Sequence, residues 1–217
     1  MENFLRLLDY KQFFISGVWM TIVFSIVGIV FGSIIGTIVC FMRLSNSKIL
    51  RAIAKVYTEL IRGTPILVQL WIVYIVIDTS QNLAGFVALS INSGAYVAEI
   101  IRSGIVSLPK GQMEAARSLG MSKGMAMRYI ILPQAIKNII PVIGNEFIAI
   151  VKESAIVSVI GATELSFQMT KVRGATYLGM EPLMVIFVLY FILTSILTRI
   201  VNFVERRLSV SDKGKRS

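Results

Sequence analysis

Apolar residues along this chain come in runs too long for a soluble core, and the polar residues between them are grouped rather than scattered. No charge interrupts residues 12–42, a run long enough to cross a bilayer with some tilt. The stretch 63–77 is shorter, with Pro65 bending or resetting the helix at its start, and residues 53–60 extend it as a helix with a basic lower end. Residues 79–98 are uncharged and merge into 101–106, and residues 138–163 are apolar apart from Glu146, Lys152 and Glu153. Residues 182–198, extended by 200–204, close the set. The pattern predicts an all-α membrane protein with five transmembrane helices, a single domain over residues 1–208, and a polar, disordered cytoplasmic tail at 209–217. Residues 3–14 mix Phe4, Leu5, Leu7, Leu8 and Phe13 with Arg6, Asp9 and Lys11, which predicts an interfacial helix on the outer surface or a frayed terminus. The first apolar run is too long for a cleaved signal, and no Ala-x-Ala-like site follows it.

Composition agrees with lipid as the solvent. Of 217 residues, 55% are hydrophobic and 16% charged, against about a quarter charged in soluble domains. A single cysteine, Cys40, excludes an internal disulfide, and the absence of histidine removes the commonest general base and metal ligand. No P-loop signature occurs, so the chain is not its own ATPase. The net charge of +10 is concentrated in the connections. Arg43, Lys48, Arg51, Lys55 and Arg62 lie in the first; Lys110, Arg117, Lys123, Arg128 and Lys137 in the third; Arg206, Arg207 and further basic residues at the C-terminus. Basic loops face the cytoplasm, which predicts the N-terminus outside and the C-terminus inside.

The most informative polar interval is the cytoplasmic loop at about 107–137. Pro109 sets up a helix over 112–119, Gly120 supplies the φ > 0 stop, and Ser122 caps a second helix running toward Pro133. Met113, Ala116, Leu119 and Gly120 share one face of this helical knob, with Glu114, Arg117 and Ser118 around the rest. Within it Glu114, Ala115, Ala116, Gly120, Ile130, Leu132 and Pro133 match the pattern EAA-x3-G-x9-I-x-L-P, and the chain thereby resembles the permease subunits of ABC importers. Arg62, Gly63, Thr64, Pro65; Tyr96 through Ile100; Gly111, Gln112; and Lys152 through Ile156 are similar to the subfamily that imports polar amino acids, so the resemblance covers most of the chain.

The resemblance implies a type I importer transmembrane domain in the bacterial plasma (inner) membrane, pairing as a homodimer or with a similar permease. It implies a cytoplasmic ABC ATPase dimer that carries the ATP and Mg, no cofactor on this chain, and an extracytoplasmic amino-acid-binding protein. The knob would then dock in the ATPase. Gly120 would allow the bend, Ala115 and Ala116 close approach, Glu114 would fix the loop by hydrogen bonds, and Arg117 belongs to the same coupling set. No residue is expected to be catalytic and none to hold a metal.

Polar residues inside spans are the candidates for contact with an amino-acid substrate, because each costs roughly 2.5–3.5 kcal/mol if charged at the bilayer centre. Glu153 leads: with Lys152 it falls near the midpoint of the 138–163 envelope, where a carboxylate faces water or a cation, or else pairs with a base on another helix. Glu146, seven residues earlier, lies nearly on the same face, roughly 10 Å away along the axis. Tyr96 and Ser93 are candidates on the third span; Gln69 on the second either lines the path or bonds a neighbouring helix. Glu99 and Arg102, at i and i+3, form a structural ion pair. Gly28, Gly32 and Gly36 mark a close helix contact with an unidentified partner. The acidic bias favours arginine, lysine or histidine as substrate, with glutamine as the alternative. An ATP-independent channel or secondary transporter leaves the knob unexplained. A membrane anchor binding nucleic acid lacks the Asn, Gln and Arg cluster that reads bases.

Overall fold

The structure, a computed structural model, describes residues 2–213, and every regular element among them is helical. Helix α1 (Glu2–Arg6) and a 3-10 turn (Leu7–Tyr10) lead into α2 (Lys11–Leu44), and together they form one run, Asn3–Leu44. The expected surface elbow is therefore the first part of that run. Leu7 and Phe14 are buried against Leu165, Met169 and Val172, whereas Phe4, Leu5 and Leu8 stay exposed.

The second apolar stretch is two helices, not one extended span. Helix α3 (Lys48–Arg62) and α4 (Ile66–Ile77) meet at 109° across residues 63–65. Pro65 has no N–H to continue the helical ladder, and its ring excludes helix from the residue before it. Packing then fixes α3: Ala54 is buried against Val39 and Ala98, and the Tyr57 hydroxyl donates to the Ile91 carbonyl at 2.6 Å.

Helix α5 (Gln81–Val106) starts at Ser80, whose hydroxyl accepts the Leu83 N–H at 3.4 Å. Its contact with α2 is the most extensive in the molecule, and it is where the glycine repeat is used. A Cβ on Gly36 would stand 2.8 Å from the Ala98 nitrogen and the Val97 side chain; one on Gly32 would stand 2.6 Å from the Ser93 hydroxyl. The partner of the glycine face is thus α5 of the same chain.

Helix α6 (Lys110–Ser118) and α7 (Lys123–Ala126) form the knob. From α7 the chain passes through a π turn (Met127–Ile131) directly into α8 (Leu132–Glu153). The second knob helix and the fourth span are consequently one continuous helix. The wide turn, in which Leu132 N–H reaches the Met127 carbonyl, accommodates Pro133, and the Gln134 amide donates to the Ile130 carbonyl at 2.8 Å. A 3-10 turn (Ser154–Ile160) ends the run at Gly161, φ +86°. Helix α9 (Leu165–Thr176) and α10 (Glu181–Lys213) complete the chain. The backbone stays helical to Lys213 where a disordered tail was expected from 209; residues 214–217 of that tail lie outside the described residues.

Three runs, Asn3–Leu44, Gln81–Val106 and Glu181–Leu208, are long and apolar enough to cross a membrane, and α3 with α4 makes a fourth if the bent pair is one span. Helix α8, with Lys137, Glu146, Lys152 and Glu153, is not among them.

Register between α8 and α5 sets the depth of the charges. Ile139 packs on Gly104, Ile150 on Gly28 beside Leu89, and Val157 on Gly85. Glu146 therefore lies level with Ser93 to Tyr96, the middle of α5. Lys152 and Glu153 lie level with residues 85–89, one to two turns from its N-terminal end. This corrects the expected midplane position of Glu153. The apolar envelope 138–163 misplaces the centre because the helix itself begins lower, and its last apolar residues lie in the 3-10 turn and the loop beyond it.

Candidate functional site

At mid-depth four polar side chains from three helices come together. Arg62, the last residue of α3, lies beside the middle of α5, its guanidinium 5.3 Å above the centre of the Tyr96 ring. The Glu146 carboxylate, from α8, is within electrostatic reach of Arg62 and of Glu153, and lies toward Ser93. The Ser93 hydroxyl is packed against Gly32, is 1% exposed, and lies beside the Glu146 carboxylate. Tyr96 is half-buried, and Arg62 is open to the surface of the chain.

The break that follows Arg62 is held by Gln69. Its side-chain amide donates to the Ile61 carbonyl at 2.7 Å and to the Thr64 carbonyl and hydroxyl at 3.1 and 2.9 Å, while its oxygen accepts from Asn92 of α5 at 2.9 Å. Carbonyls that Pro65 leaves without helical donors are thereby satisfied, as a water-poor environment requires. Gln69 is buried and committed to this joint. Its contact is helix to helix, and it presents no free amide to a ligand.

Lys152 and Glu153 point apart, as adjacent helical residues must. Lys152 lines an open apolar groove along α10 with Met180, Met184, Phe187, Tyr190 and Phe191. Glu153, exposed, shares the Glu146 face. Nearer the knob, Glu99 accepts from Arg102 Nε at 3.0 Å and from Arg102 Nη2. It also accepts from Arg43 Nη1 at 3.0 Å, and Arg43 reaches Thr58 Oγ1 at 3.3 Å. The i, i+3 pair is thus part of a cluster joining α2, α3 and α5.

The knob has the local chemistry its residues imply. Helix α6 ends in a Schellman motif: Gly120 N–H bonds the Arg117 carbonyl and Met121 N–H the Ala116 carbonyl, both at 3.1 Å, with Gly120 at φ +84°. The Ser122 hydroxyl accepts the Met125 N–H at 3.2 Å, and Arg117 Nη1 donates to the Met121 carbonyl at 2.8 Å. Ala116 is buried, whereas Glu114, Ala115, Arg117 and Gly120 are exposed, and Leu119 projects with 84% of its surface free. On the inner side Ile131, Ala135 and Ile139 are buried with Cys40 and Ile105, which seats the knob on the ends of α2 and α5.

Two features escaped the sequence: the place of Arg62 beside the Tyr96 ring, and the role of Glu164. Glu164 is fully buried. It accepts the Phe167 N–H at 2.9 Å and the Tyr190 hydroxyl at 2.7 Å, capping α9 and binding it to α10.

Comparison with known proteins gives a consistent result. The family described as binding-protein-dependent transport system inner membrane component matches residues 28–210. The arginine transport system permease protein ArtQ of Bacillus subtilis is 42% identical over 206 residues, covering 92% of this chain and 94% of that one. The glutamine transport system permease protein GlnP of Escherichia coli is 36% identical over 203 residues, covering 90% and 93%. A crystal structure of an amino acid ABC transporter with histidines superposes with a TM-score of 0.91 at 45% identity, covering 94% of this chain and 98% of that one.

Proposed function

The chain belongs to the family of binding-protein-dependent transport system inner membrane components, and we propose that it forms the path for a basic amino acid such as arginine, lysine or histidine. It is the permease of an amino-acid ABC importer, a multi-pass inner-membrane protein and a transport component rather than an enzyme. Membership implies an ATPase and a substrate-binding protein as partners.

The observation that carries the basic specificity is the pairing of Glu146 and Glu153 on one face of α8, while Lys152 is turned away into the groove along α10. Two carboxylates that repel each other in a water-poor setting are stabilised by a cation between them. Tyr96 and the Ser93 hydroxyl lie on α5 at the level of Glu146. The glutamine reading is favoured by the name of the Escherichia coli relative; there the carboxylates would hold only the α-ammonium.

In this reading five helices cross the membrane, α3 and α4 together counting as one and α8 as another, with the N-terminus outside. The knob then faces the cytoplasm, where Glu114, Ala115, Arg117, Leu119 and Gly120 meet a groove on the ATPase. ATP and Mg stay on that partner. Two copies of the permease assemble side by side, and closure of the ATPases rocks α8 through the knob. Uptake of labelled arginine and glutamine into proteoliposomes holding permease, ATPase and binding protein tests the specificity. Arginine uptake that lysine and histidine suppress, and that Glu153→Gln and Glu146→Gln reduce about tenfold or more, is expected. Glutamine uptake indifferent to arginine would sink it.

A further inference from the structure

We propose that the free face of α9 and the turn after it, with Lys171, Arg173 and Tyr177, is a docking surface for a carboxylate-bearing face of the importer's amino-acid-binding protein. The inference rests on the reading of the chain as an importer with this end outside, but not on which amino acid is carried.

Helix α9 has one seated face and one open face. Leu165, Met169 and Val172 are buried with Leu7 and Phe14 at the start of the chain. Lys171, Arg173, Gly174 and Ala175 are exposed on the other side. A Cβ on Gly174 would meet nothing within 4 Å, so no contact within the chain requires a glycine there.

The turn that follows holds a residue its backbone does not suit. Tyr177 caps α9 at φ +59°, a left-handed position that helices fill with glycine or asparagine. The conformation is fixed by its neighbours: Tyr177 N–H bonds the Arg173 carbonyl at 2.9 Å, and Leu178 N–H the Thr176 hydroxyl at 3.3 Å. Yet Tyr177 is 94% exposed, and Met180 beside it 67%. The strain is therefore matched by no packing inside this chain. A tyrosine kept in water at that cost has its contact on another molecule, and tyrosine and arginine are the side chains that dominate protein interfaces.

Charge gives the partner its sign. Lys171 and Arg173 form no salt bridge among the described residues, and Lys171 Nζ lies 4.9 Å above the Phe167 ring. Residues 165–180 contain no acid. The acids that flank them are already engaged: Glu164 is buried and bonded to Phe167 N–H and the Tyr190 hydroxyl, and Glu181 accepts from Asn3 at 2.7 Å. Two cations beside a projecting aromatic, with no anion of their own, complement carboxylates on a folded partner. Among the partners of an importer, the binding protein is the one that arrives from this side.

The test uses the permease–ATPase complex in nanodiscs and the amino-acid-binding protein that supports uptake in the proteoliposomes above. Association is measured in phosphatidylcholine and in phosphatidylglycerol discs. Lys171→Glu with Arg173→Glu should weaken it about tenfold or more, chiefly through a slower on-rate, and flatten its dependence on salt. Tyr177→Gly should weaken it about threefold or more, while the thermal midpoint holds or rises, because glycine suits φ +59°. A tyrosine kept for the fold would give the reverse, a lower midpoint with association unchanged, and that result would overturn the proposal. So would association indifferent to the charge reversal. Losses confined to phosphatidylglycerol discs would assign the patch to lipid headgroups instead. A wild type that takes up no binding protein would overturn the importer reading itself, an outcome distinct from wild-type association that the variants leave unchanged.

Discussion

Gly36 shows how little room separates the two central helices. A side chain there meets the Ala98 backbone nitrogen at 2.8 Å, and backbone cannot step aside as a flexible side chain can. Gly36→Val is expected to destabilise the detergent-solubilised protein by about 1–3 kcal/mol, seen as a lower thermal midpoint. Gly111→Ala, on a helix with nothing within 4 Å, should leave the midpoint unchanged or slightly raised. Glu99 makes a second prediction. Glu99→Leu leaves Arg43 and Arg102 facing each other without their shared acceptor and should cost about 2 kcal/mol; adding Arg43→Met should return part of it in a double-mutant cycle. The Glu99–Arg102 pair is legible in the sequence because i, i+3 spacing places it on one helix face. Arg43 joins from 56 residues away, and no local rule connects them.

At the scale of elements, the knob is the part that local chemistry dictates. Gly120 and Ser122 stop one helix and start the next by backbone bonds within a few residues, so their roles follow from residue type alone. Gly120→Ala places a Cβ where φ is +84° and should cost about 1–2 kcal/mol within the loop. The permease should then hold its ATPase less tightly in pull-down assays, with the thermal midpoint of the membrane helices little changed. What local rules missed lies where a proline has two outcomes. Pro65 breaks a helix sharply, because Gln69, held by Asn92, is placed to satisfy the freed carbonyls. Pro133 is absorbed in a π turn, with Gln134 serving the Ile130 carbonyl. Which outcome prevails depends on partners distant in sequence or on a change in helical pitch.

For the whole molecule, hydropathy conveys the class, the succession of helices and the boundaries of the knob. It does not convey depth. Glu153 looked central because apolar residues were counted along the chain, whereas the level of a charge is set by packing: Val157 on Gly85, Ile139 on Gly104. Orientation is open to a direct measurement, since the native Cys40 is 1% exposed and adds little background. Leu119→Cys should react with an impermeant maleimide in inverted vesicles only, and Met180→Cys in intact cells only. Labelling of both from the same side would reverse the topology or break it.

The uninterrupted run from Lys123 to Ile160 has one more implication. Because no loop intervenes, the carboxylate of Glu146 and the second knob helix ride on a common rod, with about 35 Å of helix between Lys123 and Glu146. Displacing one end without disturbing the other would mean breaking helical bonds. A push on the Lys123 end of that rod therefore reaches Glu146 with no loop to absorb it.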